Sequence, residues 1–236
     1  MIKGILFDYG GTIDTNGLHW GSVLWDHYQK YHVPVVREEF SKAYSFGERA
    51  LAINPIVKPA HNFYDVLCLK IDQQFTFLES LGKSLDRRLV TTIASDCNFF
   101  VKQTIENVLP ILSALADQYA MVMVSNFYGN LNTVLSDFGL RSYFTDVVES
   151  AVVGVRKPDP EIYRLGVERL GMRASDCVVV GDSYSKDMIP GNTIGCKTIW
   201  LNVAGWEDIL KTETTSVADL EITDFAQLTV QRIGLL

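Results

Sequence analysis

Asp8 closes an apolar run, Ile5-Leu6-Phe7, and is followed at once by Tyr9, Gly10, Gly11 and Thr12. A carboxylate in that place either turns the chain into solvent or is delivered by a strand to a site, and glycines let backbone come close to whatever it meets there. Taken alone, an acid before glycines is more often a turn former. Three further stretches change the odds. Ser125 and Asn126 follow the apolar run "AMVMV", Lys157 stands in "GVRKPDPEIY", and Asp182 and Asp187 stand in "GDSYSKD" after "CVVV". A serine by itself reads as a helix cap. A serine, a lysine and three acids in this order, each at or just past the end of an apolar run, read as one reaction site.

The elements that must position these groups are legible from hydrophobic patterning. "IKGILFD" (2–8), "AMVMVSN" (120–126), "CVVVGD" (177–182) and "CKTIWL" (196–201) lack in/out alternation, which predicts strands buried on both faces. "NLNTVLSDFGL" and "PEIYRLGVERLGM" are helical patterns with glycine stops, and the second opens with Pro160 and Glu161. Strand and helix in alternation predict an α/β fold with a doubly wound parallel sheet, whose ligand site lies at the carboxyl ends of the strands. The tail "VADLEITDFAQLTV" is expected to add an edge strand and a short helix.

From about Gly17 to Val101 the rhythm changes. Four helical patterns, "HWGSVLWDHYQKYH", "REEFSKAYSFGERAL", "NFYDVLCLKIDQQFTFLESLG" and "DRRLVTTIASDCNFFVKQ", are separated by Pro34, Pro55, Pro59 and Gly82. This predicts a helical domain over 17–100 inserted after the first strand, with 1–16 and 101–236 forming the core domain. Trp20, Trp25, Tyr28, Phe63 and Phe75 are expected to pack the insert's own core, one or two of them facing the site. His19, His27 and His32 are eight and five residues apart, which does not suit a metal face on a helix. Lys30, Lys42, Lys58 and Lys70 read as surface lysines.

The chain has 236 residues, 47% of them hydrophobic, and a net charge of −7 with scattered basic residues, which argues against a nucleic-acid partner. No stretch approaches a membrane span, no leader pattern follows Met1, and the four cysteines are dispersed, so a cytoplasmic, reducing setting without zinc is expected. GxxxxGK[ST] and GxGxxG are absent.

In "FDYGGT", "VSNF", "KPDPEIY" and "GDSYSKDMIPGNTIGCKTIW" the sequence resembles the haloacid dehalogenase superfamily of aspartate-nucleophile hydrolases, over roughly residues 2–15 and 100–230. The resemblance implies a Rossmann-like core with a C1-type helical cap; over a hundred positions separate Asp8 from Ser125, and only about thirty separate Ser125 from Lys157. It also implies a Mg²⁺-dependent phosphohydrolase acting on a small phosphorylated metabolite, as a monomer or homodimer. Asp8 would attack phosphorus and form an aspartyl-phosphate. Asp8, Asp182 and the Gly10 carbonyl would hold Mg²⁺, with Asp187 as a further ligand or a support for its waters. Ser125 and the Asn126 backbone N–H would hold phosphate oxygens, Thr12 would steady the loop, and Lys157 would pair with both Asp8 and the phosphate.

One departure stands out. Phosphatases of this superfamily carry DxDGT, and the second Asp, which protonates the leaving oxygen, is Gly10 here. Asp14 and His19 are candidates to replace it. Dehalogenases also lack that acid but have no need of a metal, whereas this chain keeps both acids of "GDSYSKD". Phosphonate-cleaving members keep the metal and use a cap lysine as a Schiff base. A metal-free dehalogenase, a C–P hydrolase and a non-catalytic phosphometabolite binder therefore remain alternatives.

Overall fold

The structure is a computed structural model that describes residues 1–203 and 217–236. Its elements run β1 (Gly4–Phe7), α1 (Trp20–Lys30), α2 (Arg37–Ile53), α3 (Phe63–Ser80), α4 (Arg88–Ala116), β2 (Ala120–Ser125), α5 (Leu131–Asp137), β3 (Asp146–Glu149), α6 (Ser150–Val153), α7 (Glu161–Leu170), β4 (Cys177–Gly181), α8 (Ile189–Thr193), β5 (Lys197–Leu201), β6 (Leu220–Ile222) and α9 (Val230–Ile233). Six strands form one sheet in the order β3-β2-β1-β4-β5-β6. Every pairing is parallel.

The absence of alternation in the strands has its cause here. Ile5, Phe7, Met121, Met123, Val178 and Val180 face one core, while Leu6, Val122, Val124 and Val179 face the other. With helices on both faces, both sets of side chains leave water, and a run of Val, Ile and Leu is the sequence that results. β3 was not anticipated: its four residues, "DVVE", begin and end in an acid. The tail supplies β6 as the edge strand, followed by α9.

Winding outward from β1 in both directions brings the ends of β2 and β4 to either side of the end of β1. That is the switch point at which such sheets hold ligands. Asp8 and Asp182 directly follow β1 and β4, and Ser125 is the last residue of β2.

The helical insert comprises α1 to α3 and the first part of α4. Asn62 and Asp65 start α3 with a reciprocal cap, each side chain accepting the other's backbone N–H at 3.0 Å. α4 continues through Pro110 to Ala116, so position 100 falls inside a helix that returns the chain to the sheet. The aromatic packing of the insert is continuous with one face of the sheet rather than separate from it. Tyr9, next to Asp8, lies edge-on to Phe63 at 6.2 Å, and Phe63 lies 5.5 Å from Trp20. Among the described residues no helix is long and apolar enough to cross a membrane.

Candidate active site

Asp8 leaves the end of β1 and is almost fully buried. Its Oδ1 accepts from Lys157 Nζ at 2.5 Å and from Ser125 Oγ at 3.3 Å. The Thr12 hydroxyl lies 3.1 Å from Asp8 Oδ2 and 3.1 Å from Asp182 Oδ1, and it accepts the Asp182 N–H at 3.1 Å. With a single proton to donate, Thr12 serves one carboxylate at a time and ties the loop after β1 to the loop after β4.

Lys157 is held from several directions. Its ammonium donates to Asp187 Oδ1 at 2.7 Å as well as to Asp8, and sits 5.1 Å from the centre of the Tyr163 ring. Tyr163 donates to the same Asp187 oxygen at 2.6 Å, and Asp187 Oδ2 accepts the Ser183 N–H at 3.0 Å. The Asn126 side chain clamps the backbone of Lys157, accepting its N–H at 2.9 Å and donating to its carbonyl at 3.1 Å. Two functional contacts were thus missed in the sequence. Tyr163 stood in "KPDPEIY" at the start of α7 without a partner assigned. Asn126 was read only for its backbone.

The paired glycines differ. Gly11 has φ +97°, and a Cβ there would lie 2.5–2.8 Å from the Asp182 carboxylate, so this position requires glycine. Gly10 has ordinary φ, and a Cβ there meets nothing within 4 Å. Gly11→Ala is expected to cost about 1–3 kcal/mol, seen as a lower urea midpoint, because it combines backbone strain with displacement of Asp182. Stability equal to the parent would contradict this account of the turn.

Burial raises the Asp8 pKa, Lys157 opposes the rise, and Asp187 adds to it. Burial likewise pushes Asp182 well above the carboxylate range, reinforced by Asp8 and Asp187. Burial disfavours the Lys157 ammonium, but Asp187 and Asp8 outweigh it and hold its pKa above the usual lysine value. Three crowded acids face one buried lysine, so negative charge is in excess. One oxygen from each of Asp8, Asp182 and Asp187 lies within 4.8 Å of the others. Hard oxygen donors in a largely buried, under-compensated cluster fit a divalent cation.

The expected substitutes for the acid missing at Gly10 are otherwise engaged. Asp14 Oδ1 accepts the Gly11 N–H at 2.7 Å and Oδ2 accepts the Trp20 indole N–H at 2.8 Å, in a site closed to solvent. Burial pushes its pKa up to about 7 against those two donors, but both oxygens shape the loop. His19 uses Nδ1 as the cap of α1, accepting the Gly21 N–H at 3.0 Å, and packs on Tyr44. The surface reading of the insert lysines fails at Lys70, which is 7% exposed and paired with Glu48. Lys30 and Lys42 do form exposed ion pairs.

Architecture and the edge on which the charged groups gather define a doubly wound α/β protein with a charged cluster at the carboxyl ends of its strands. The sequence profile of the haloacid dehalogenase-like hydrolases matches residues 2–195, and the chain belongs to that family. It is 26% identical over 248 residues to a glyceraldehyde 3-phosphate phosphatase of Methanocaldococcus jannaschii, covering 99% of this chain and 96% of that one. It is 40% identical over 80 residues to "Haloacid dehalogenase-like hydrolase domain-containing protein 3" of Danio rerio. That match spans 34% of this chain and 33% of the zebrafish protein. Among solved structures, the HAD-hydrolase YfnB of Bacillus subtilis superposes with a TM-score of 0.59 at 20% identity, covering 96% of each chain, a likeness of fold.

Proposed function

We propose that the protein is a Mg²⁺-dependent phosphohydrolase of small phosphorylated metabolites that works through an aspartyl-phosphate on Asp8. The observation that carries this reading is the setting of Asp8: one oxygen is held by Lys157 and Ser125, the other by Thr12, at the switch point of the sheet. A carboxylate fixed in this way is oriented for in-line attack, since its rotation is restrained by three donors, from its own loop, the end of β2 and the loop before α7. The Asn126 N–H is offered to the phosphate oxygens, and the Ser125 hydroxyl, whose one proton goes to Asp8 in the free enzyme, turns to them when substrate binds. Lys157, kept protonated by Asp187 and Asp8, balances the charge that gathers as phosphorus is transferred. Asp187 and Tyr163 act by holding Lys157.

Asp8, Asp182 and the carbonyl of Gly10 would hold the metal, with Asp187 in reach of the same ion. When bound, the ion supplies the charge neutralisation that lets a carboxylate approach an anionic phosphate. Helices α1 to α3 form the cap that limits access to small substrates. A monomer or a homodimer in a cytoplasmic setting is the accompanying reading, in line with four free cysteines. The phosphatase relative of M. jannaschii, similar over nearly the full length, supports the phosphate-ester reading.

Lys70 bears on the C–P alternative, because a Schiff base needs a neutral amine. Burial opposes its ammonium, yet Glu48 and Tyr44 outweigh that and keep its pKa above the lysine value, which disfavours the imine.

A screen of phosphate esters with and without chelator tests the proposal. Turnover is expected to fall by about 10²-fold or more with EDTA and to return with Mg²⁺, and Mg²⁺ is expected to raise Tm. Turnover indifferent to chelation would contradict the metal assignment.

A further inference from the structure

The turn after β1 leaves one of its carbonyls open. The Tyr9 carbonyl accepts the Thr12 N–H at 3.2 Å and the Ile13 N–H at 2.9 Å. The Gly11 carbonyl accepts the Gly17 N–H at 2.7 Å and the Thr15 hydroxyl at 3.1 Å. Between them, the Gly10 carbonyl accepts no hydrogen bond from any described residue, and Gly10 alone is exposed in the buried run from Asp8 to Thr15. A peptide carbonyl is an obligatory acceptor, so this one is left for a group from outside the chain.

The N–H of the same peptide is held firmly. It belongs to Gly11 and donates to Asp14 Oδ1 at 2.7 Å, the short length of a charge-assisted bond. Asp14 is itself braced, because its Oδ2 accepts the indole N–H of Trp20, the first residue of α1, at 2.8 Å. Trp20 packs on Phe63, and Phe63 on Tyr9, so insert and turn together fix the carboxylate. The Gly10–Gly11 peptide is trans, so its carbonyl points the opposite way from its N–H, away from Asp14. The turn lies against the acid edge of the sheet: a Cβ on Gly11 would fall 2.5 Å from Asp182 Oδ2. A buried carboxylate that did no more than shape this turn would carry a desolvation cost that a neutral side chain avoids.

We infer that Asp14 is a positioning residue for the metal, acting through the Gly10–Gly11 peptide: it holds the N–H, fixes the plane, and turns the Gly10 carbonyl outward as a ligand. This rests on the metal reading above. Asp14 does not touch the ion. A negative charge on the N–H also polarises the amide and raises the electron density on its oxygen, which strengthens that oxygen towards a cation. Carboxylates that steady metal-bound imidazoles work in the same way, with the peptide here in place of the ring.

The test measures metal affinity of the substrate-free full chain. Mn²⁺, which shares the preference of Mg²⁺ for oxygen ligands, is titrated at about pH 8, above the Asp14 pKa of about 7, and free ion is counted by its EPR signal. Asp14→Asn keeps the shape and removes the charge, and is expected to weaken Mn²⁺ binding by about tenfold or more. In the parent, Mg²⁺ is expected to shift the Gly11 ¹⁵N resonance and to move its amide proton downfield, since a ligated carbonyl makes its N–H a stronger donor to Asp14. Parent-like affinity in Asp14→Asn, even with a lower Tm, overturns the inference and leaves the metal reading standing. So does a Gly11 amide that fails to respond while the parent binds the ion; this readout needs no variant and holds if Asp14→Asn does not fold. A parent chain that binds neither ion overturns the metal reading and the inference with it.

Discussion

Asp8→Asn is expected to reduce turnover by about 10⁴-fold or more, the scale on which removal of a covalent nucleophile acts, or roughly 5 kcal/mol of transition-state stabilisation. The amide matches the carboxylate in shape, so the contact with Thr12 can persist, but it has no charged oxygen with which to attack. The fold is expected to survive, for two reasons. Burial and Asp187 already disfavour charge on Asp8, so a neutral side chain relieves crowding among the acids. Lys157 still keeps Asp187 as its partner at 2.7 Å. The check is kcat beside the circular dichroism melt: activity lost with Tm retained fits a nucleophile, whereas turnover close to the parent would contradict the assignment.

Gly10→Asp is expected to increase turnover on alkyl phosphate esters by about 10²-fold, the lower end of what a positioned general acid contributes. The structure makes this a permissible gain. A Cβ at position 10 meets nothing within 4 Å, and the backbone there is not left-handed, so the loop need not move. A carboxyl added next to Asp8 and Asp182 would have its pKa raised by their charge, which suits an acid required to hold a proton near neutrality. Asp14 cannot serve in its place, as its oxygens are held by Gly11 and Trp20. The increase should be largest for poor leaving groups and small for p-nitrophenyl phosphate, whose oxygen leaves without protonation. An equal increase on both would show that the new side chain acts on binding rather than on proton transfer.

The parts of this architecture that could be read in advance share a physical cause. β1, β2, β4 and β5 are buried on both faces, so their apolar runs were unbroken, and their carboxyl ends marked Asp8, Ser125 and Asp182. β3 escaped because a four-residue strand flanked by acids leaves little pattern. Glu149 is nonetheless used at its end, where its carboxylate accepts the Gly129 and Leu131 N–H groups and anchors the loop after β2. The run of α4 beyond Gln103 was hidden by Pro110, which ends most helices but is accommodated here.

Within the site, the identities of the charged residues were legible and their partnerships were not. That Asn126 grips the backbone of Lys157, or that Tyr163 shares Asp187 with its ammonium, depends on loops that meet only after the sheet has formed. Lys70 was misread for a related reason: lysines are rarely buried without a partner, and Glu48 is its partner only because α2 and α3 touch at Gly47. The glycines of "DYGGT" divide in the same way. Both read as flexible turn residues in the chain, but Gly11 is demanded by the Asp182 carboxylate and Gly10 is not demanded by any neighbour.

The most direct measurement is to trap the covalent intermediate. Enzyme mixed with substrate and Mg²⁺, quenched in acid during turnover and reduced with borohydride, should yield homoserine at position 8 in the peptide mass spectrum, because an acyl phosphate is reduced and a free carboxylate is not. The modification should be absent without substrate. An unmodified Asp8 peptide from enzyme that is turning over, or homoserine at another carboxylate, would contradict the account.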